Sequence, residues 1–147
     1  MAARLSVAII ARNEERNLPA CLASVAFADE IVVVDHASTD RTADIARERG
    51  ARVVETADWP GFGAQKNRAL DACTGDWILS LDADERVTSA LRDEIKRALS
   101  QPRFEVYEMR RRSTYCGRFM RHGGWHPDYV RRLFRRGAAR FSDAAVH

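Results

Sequence analysis

The sequence predicts an α/β domain, a mostly parallel sheet flanked by helices on both faces with a short antiparallel portion at the C-terminal end. Three observations predict it. Short apolar runs alternate with stretches of helical period as far as residue 102. One of those runs, "EIVVVD", is apolar without alternation, which is the pattern of a strand buried on both faces. After Pro102 the pattern changes: "FEVYEM" alternates with period two, and a Gly- and Arg-rich stretch follows from Arg110 to Arg136. Antiparallel strands and loops packed at one edge are expected there.

Taken in order, "LSVAII" is the first strand. In "NEERNLPACLASVAF", Leu18, Cys21, Leu22 and Val25 fall on one helical face. "EIVVVD" is the second strand, and "STDRTADIARERG" is a helix that begins with capping residues and ends at Gly50. "ARVVET" is a third strand and "DWPGFG" a turn-rich loop. "AQKNRALDACTG" is a helix stopped by Gly75, and "DWILSL" is a fourth strand. "TSALRDEIKRALSQP" is a helix with Leu91, Ile95, Ala98 and Leu99 inward and Pro102 after it. The last residues, "ARFSDAAVH", are strand-like and end without a stop signal.

With 147 residues, 46% hydrophobic and 31% charged, the composition is that of one globular domain able to fold around its own core. No apolar run nears the roughly 20 residues that cross a bilayer. "MAARLSVAIIARNEE" has no small-residue cleavage site and meets acids at once, so it reads as a strand and not a signal peptide. Cys21, Cys73 and Cys116 lie far apart, which suits reduced thiols in a cytoplasmic protein, with Cys21 and Cys73 in packing positions. Charge is uneven. Residues 1–102 hold 13 basic and 17 acidic side chains, and 103–147 hold 11 arginines against four acids, so −4 and +7 make the net +3. A basic end calls for a phosphate-bearing partner or an anionic surface.

In an open parallel sheet, ligands bind at the carboxyl ends of the strands. The residues after each apolar run should meet there: Ala11 to Glu14, Asp35 to Ser38, the Trp59–Gly63 loop with Gln65 to Arg68, and Asp82-Ala83-Asp84-Glu85. Clustered carboxylates near basic residues point to Mg²⁺ or Mn²⁺ shared with a phosphorylated ligand. A bare D-x-D is weak evidence; its place directly after a buried strand gives it weight. A structural use remains open for each group. The acids after the fourth strand could cap the helix starting near Thr88. Asp35 could simply form a turn. Glu14 and Glu15 could be first-turn helix acids, the preferred reading for Glu15. Gly61 and Gly63 could admit a phosphate or merely permit the loop. No G-x-G-x-x-G, P-loop, G-x-S-x-G or H-E-x-x-H pattern is present.

"SVAIIARNEERNLPACLASV", "EIVVVDHASTDRTADIA" and "GDWILSLDADE" together resemble the family 2 glycosyltransferases, whose sheet is the GT-A, Rossmann-like fold. The second stretch is similar to the family's V-D-[DG]-x-S-x-D-x-[ST] segment and the third to its D-x-D metal motif. "WPGFGAQKNRAL", "GGWHPDYVRRLFRRG" and the final "VH" resemble the bacterial lipopolysaccharide core glycosyltransferases of the WaaE/KdtX type. The resemblance implies roles for single residues. Ala11, Asn13 and Glu14 would lie along the nucleotide base, and Asp35 would bind the nucleoside. Lys66 would sit near the phosphates. Asp82 would contact ribose or metal, and Asp84 would coordinate the metal. His36 departs from the family, which commonly has Asp, Gly or Ser there. An inverting transfer needs a carboxylate to deprotonate the acceptor hydroxyl. Family members carry an acid just after the "VH", which would fall beyond His147; within this chain Asp128 is the candidate.

The resemblance thus implies a divalent-metal-dependent, inverting glycosyltransferase moving a sugar from a UDP-sugar to a glycan or lipopolysaccharide-core acceptor. Residues 1–102 would form the nucleotide-sugar-binding portion, and 103–147 an acceptor-side basic portion of the same domain, cut short at its end. On the acceptor side stand Trp125, Tyr129, Arg131 and Arg132, with Arg135 and Arg136 beside them facing an acceptor or an anionic membrane surface. Against this stand a solvated edge strand for the arginines and a local core for the two aromatics. The protein would be cytoplasmic and peripheral at the inner face of the membrane, with no nucleic-acid partner. Two other readings stay open: a non-catalytic or truncated nucleotide-binding fragment, and a sugar-phosphate nucleotidyltransferase, for which "ARNEERNL" lacks the Gly-rich basic loop.

Overall fold

The computed structural model describes residues 3–112, 115–121 and 129–142; for 110–112, 115–121 and 129–131 the description is of the backbone alone. The elements follow in the order β1 (Leu5–Ala11), α1 (Leu18–Ser24), β2 (Glu30–His36), α2 (Thr42–Glu48), β3 (Arg52–Thr56), α3 (Phe62–Ala72) and β4 (Trp77–Asp82). Then come β5 (Arg86–Val87), α4 (Ser89–Ser100), β6 (Val106–Arg112), β7 (Tyr115–Arg121) and β8 (Tyr129–Arg135). One sheet holds all eight strands in the order β3-β2-β1-β4-β8-β6-β7-β5. β3, β2, β1 and β4 run parallel, while β8 is antiparallel to β4 and to β6.

Burial on both faces explains the unbroken apolar runs. Val7 and Ile9 of β1, Val33 of β2 and Leu79 and Leu81 of β4 enter one core with Leu18, Cys21, Leu22, Leu91 and Ile95 from α1 and α4. The alternate residues Ala8, Val32, Val34 and Ile78 enter a second core with Ala69, Leu70 and Cys73 from α3 and its end. The predicted inward faces of α1 and α4 are the buried ones. Cys21 and Cys73 are both buried packing groups, and burial pushes the Cys73 thiol up to about 12.

Several boundaries differ from the sequence reading. α1 starts at Leu18, with Pro19 in its first turn, so Glu14 and Glu15 precede it and are not first-turn acids. Glu15 instead accepts the Arg41 amide at 3.0 Å, at the entry of α2. α3 ends at Ala72, and Gly75 is not its stop. A Cβ at Gly75 would lie 2.6 Å from Ser6 Oγ and 2.9 Å from the Arg4 carbonyl, so close approach to β1 is what demands glycine. A two-residue strand, β5, separates β4 from α4. Residues 139–142 are irregular, not strand, and 143–147 lie outside the described residues. The antiparallel strands β8, β6 and β7 add to one edge of the parallel part, as expected, with β8 paired directly to β4.

Candidate functional site

Strand register assembles the site. Ile10 lies beside Asp82 across the β1–β4 pair, and Ala11 lies beside Asp35 across β1–β2. The carboxyl ends of three strands are therefore level, and a cleft of about 710 Å³ opens above them. β1 and the residues after it line this cleft with Ile10, Ala11, Arg12 and Glu14. The β3–α3 loop and α3 add Trp59, Phe62, Gln65 and Lys66. β4 and its turn add Ser80, Asp82, Ala83 and Asp84, and the C-terminal part adds Arg132 and Phe141.

The carboxylate turn is tightly built. Asp82 ends β4, the Glu85 amide donates to the Asp82 carbonyl at 3.0 Å, and the Asp82 amide donates to Glu85 Oε1 at 2.8 Å. The Asp82 side chain is 27% exposed, with Lys66 Nζ 3.6 Å from Oδ1 and Arg132 Nη2 3.9 Å from Oδ2. Asp84 is exposed in the turn. The capping alternative fails here, because Thr88 caps α4 with its own hydroxyl, accepting the Leu91 amide at 3.1 Å.

Glu85 and Arg132 were not expected in this arrangement. Their side chains are 1% and 5% exposed, with Arg132 Nη1 2.7 Å from Glu85 Oε1 and Nη2 2.8 Å from Oε2. Burial raises the Glu85 carboxyl above its ordinary value, the Arg132 cation opposes that rise, and the Asp82 charge adds to it. Arg132 is thus a buried partner of Glu85 at the cleft, not an exposed arginine facing an acceptor or membrane. Arg135 and Arg136 also depart from the acceptor side. The antiparallel β8 carries them to the amino end of β4, where Arg135 lies over the Trp77 ring and Arg136 Nε donates to the Gly75 carbonyl at 2.8 Å.

Of the residues expected to bind nucleotide, Ala11, Glu14, Lys66 and Asp82 line the cleft, as does Asp84. Asn13 and Asp35 are not among its lining residues. Asp35 is 1% exposed and accepts from Ser38 twice, from Oγ at 2.5 Å and from the amide at 3.2 Å. Asn13 adopts φ +52° and accepts the Thr39 amide at 2.8 Å, while its own amide donates to Ser38 Oγ at 2.8 Å. The loops after β1 and β2 are laced together by these bonds. Asp128 and Trp125 lie outside the described residues, as do the side chains of Tyr129 and Arg131.

Aromatic faces are the feature the sequence reading passed over. Trp59 is 43% and Phe62 57% exposed, with ring centroids 4.8 Å apart in a T-shaped pair. Phe141, which also lines the cleft, is clasped by Asn67, which donates to its carbonyl at 2.9 Å and accepts its amide at 2.8 Å, and Lys66 sits over its ring. The signal for Trp59 and Phe62 was present in "DWPGFG": two large apolar residues in a turn-rich loop at a strand's carboxyl end. Gly61, at φ +106°, supplies the turn into α3, and that conformation accounts for glycine there.

The family model for glycosyl transferase family 2 matches residues 6–144. Lipopolysaccharide core biosynthesis glycosyltransferase LpsC of Rhizobium meliloti is 35% identical over 93% of this chain and 53% of LpsC. The structure is similar to S. aureus TarS in complex with UDP-GlcNAc, with a TM-score of 0.61 and 26% identity over 70% of this chain and 33% of TarS. It is similar also to M. tuberculosis glucosyl-3-phosphoglycerate synthase in complex with Mn²⁺, UDP and glucosyl-3-phosphoglycerate, with a TM-score of 0.56 and 26% identity over 71% of this chain and 42% of that one. The chain spans between 29% and 53% of the length of curated relatives that it matches. The GT-A-like sheet, the family model covering nearly all of the chain and the relative matched across most of it agree, and the chain belongs to glycosyl transferase family 2.

Proposed function

We propose that this chain forms the donor-binding part of an inverting glycosyltransferase that takes a sugar from a UDP-sugar and passes it to a glycan of the lipopolysaccharide-core class. The observation that carries the reading is the Asp82-Ala83-Asp84 turn opening on a cleft that also holds Lys66, at the carboxyl edge of a parallel sheet. The UDP-GlcNAc bound by TarS supports the donor class, and the name of LpsC supports the acceptor class.

The residues present fit a hard divalent cation. Asp82 and Asp84 offer carboxylate oxygens; among the described residues no group of three or more His, Cys, Asp or Glu is placed to hold a metal ion alone, so phosphate oxygens would have to complete the set. Mg²⁺ and Mn²⁺ suit such a set, since they share one or two carboxylates with substrate phosphates. Mn²⁺ in the glucosyl-3-phosphoglycerate synthase structure supports this choice. When bound, the cation would offset charge on the departing diphosphate.

The chain's own side chains do the rest. Lys66, now beside Asp82, reaches the region where phosphates would lie and brings a second positive charge. Ala11 and Glu14 border the nucleoside, with Asn13 and Asp35 holding the loops that shape that border. Trp59, Phe62 and Phe141 offer ring faces for the apolar faces of base and sugar. Asp128 is the base proposed within this chain, taking the acceptor hydroxyl's proton, and Trp125, Tyr129 and Arg131 are its proposed acceptor-side neighbours. Residues 103–147 would then serve the acceptor and 1–102 the donor. Peripheral contact with an anionic membrane would fall to the basic end, as no helix among the described residues is long and apolar enough to cross a membrane.

Calorimetric titration of UDP, with ADP and GDP as controls, in Mn²⁺ and in EDTA tests the reading. UDP binding that needs the metal is expected. Absence of nucleotide binding in both conditions refutes it.

A further inference from the structure

The buried fork behind the carboxylate turn has no task in the scheme above. Arg132 comes from β8, 47 residues beyond Glu85, yet its guanidinium reaches the turn. Its Nη1 lies 2.7 Å from Glu85 Oε1 and donates to the Ser80 carbonyl at 3.2 Å, and its Nη2 donates to Glu85 Oε2 at 2.8 Å. Glu85 Oε1 also accepts the Asp82 amide at 2.8 Å. One ion pair therefore holds the end of β4 and the start of the turn, and sets a cation 3.9 Å from the Asp82 carboxylate.

Burying such a pair carries a desolvation cost for each ion, and apolar replacements are often neutral or stabilising. Closing the turn does not require it, since the Glu85 amide to Asp82 carbonyl bond already does so. A neutral glutamine could accept the Asp82 amide equally well. What the pair adds is a guanidinium fixed in two directions, with Nη2 held 3.9 Å from the Asp82 carboxylate.

We infer that Glu85 and Arg132 are positioning residues for Asp82 and Asp84: the fork holds the turn in ligating geometry, and its cation offsets the repulsion between those carboxylates before a divalent cation arrives. The inference rests on the donor-site reading above. It also gives β8 a purpose beside β4, since only a strand in that place delivers Arg132 to the turn.

The test compares the wild-type chain with the double variant Glu85→Met/Arg132→Met, which replaces the pair by apolar groups that such sites tolerate. Calorimetry reads UDP affinity across a Mn²⁺ series and in EDTA, and a thermal melt reads the fold. The double variant should still melt cooperatively, with a midpoint lowered by the orphaned Asp82 amide and Ser80 carbonyl, and keep its EDTA affinity, while half-saturating Mn²⁺ rises about tenfold or more. A folded double variant with an unchanged Mn²⁺ requirement overturns the inference, as does an equal loss of affinity in EDTA. Should the double variant unfold, Arg132→Lys decides: the charge stays and the fork goes, so a several-fold rise supports the inference and no rise overturns it. A wild-type chain that binds no UDP with Mn²⁺ overturns the donor-site reading and this inference together.

Discussion

The two ends of the parallel sheet are both rich in acids, yet they are built to opposite purposes. At the amino end the carboxylates of Asp29, Glu30 and Asp76 are tied to nearby chain. Asp29 accepts the Leu5 amide at 2.8 Å and Asp76 the Arg4 amide at 2.9 Å. Glu30 accepts from Ser6 Oγ at 2.6 Å and from the Thr74 amide at 2.8 Å. Gly75 leaves no space for a side chain there. At the carboxyl end Asp82 and Asp84 face a cleft, and the cations Lys66 and Arg132 lie 3.6 and 3.9 Å from the Asp82 carboxylate. Asp35 shows that position alone does not decide. It stands one residue before the end of β2, much as Asp82 ends β4, but its oxygens accept from Ser38. An acid at a strand end is available to a ligand only where the following loop leaves it so.

Four substitutions put this contrast to the test. Asp84→Ala should have the largest effect: Mn²⁺-dependent UDP affinity should fall by more than about 100-fold, beyond the range for supporting residues around a metal. Its thermal midpoint should stay near wild type, because the side chain is exposed. A retained affinity would dissolve the distinction between the two ends.

Gly75→Ala should reverse that pattern. Its Cβ would meet Ser6 and Arg4 at under 3 Å, so destabilisation near the top of about 1–3 kcal/mol is expected in a denaturant titration. UDP affinity of the folded fraction should be unaltered.

Asp35→Ala tests the intermediate case. It leaves the Ser38 donors without their acceptor, for a loss toward the lower end of about 1–3 kcal/mol. If Asp35 also binds nucleoside, UDP affinity in EDTA should weaken in step; an unchanged affinity would leave it only the turn.

The smallest effect concerns Glu30. Burial works against its ionisation, but hydrogen bonds from Ser6, Thr74 and Arg52 hold its carboxyl below the ordinary 4.5. A group whose folded value is lowered adds stability above its unfolded value and loses it as pH falls through the folded one. The stability gap between wild type and Glu30→Gln should therefore be full above pH 4.5 and shrink under acid. A gap that grew on acidification would refute the assignment.

Much of the fold was legible in the order of apolar runs. "EIVVVD" lacks alternation because both faces of β2 are covered, and Leu18, Cys21, Leu22 and Val25 repeat as a helix must to bury one face. The D-x-D turn was legible for the same reason, since register at the carboxyl edge follows from strand order. β5 was not legible, because two residues carry no period. Nor was the role of Gly75, which is read in the sequence as a helix stop and acts through a contact with Ser6, 69 residues away.

By itself the sequence determined the parallel half, its two covered faces, and which acids and lysine follow which strand, because these depend on local period and on neighbours a few residues apart. Tertiary structure alone decided which of those acids stay open to a ligand and which arginine stands behind them. "VRRLFRR" shows no difference among its arginines as written. Antiparallel pairing of β8 with β4 places Arg132 near the cleft and Arg135 and Arg136 at the far end of the sheet. Long-range strand pairing set those positions, and no local pattern encodes it.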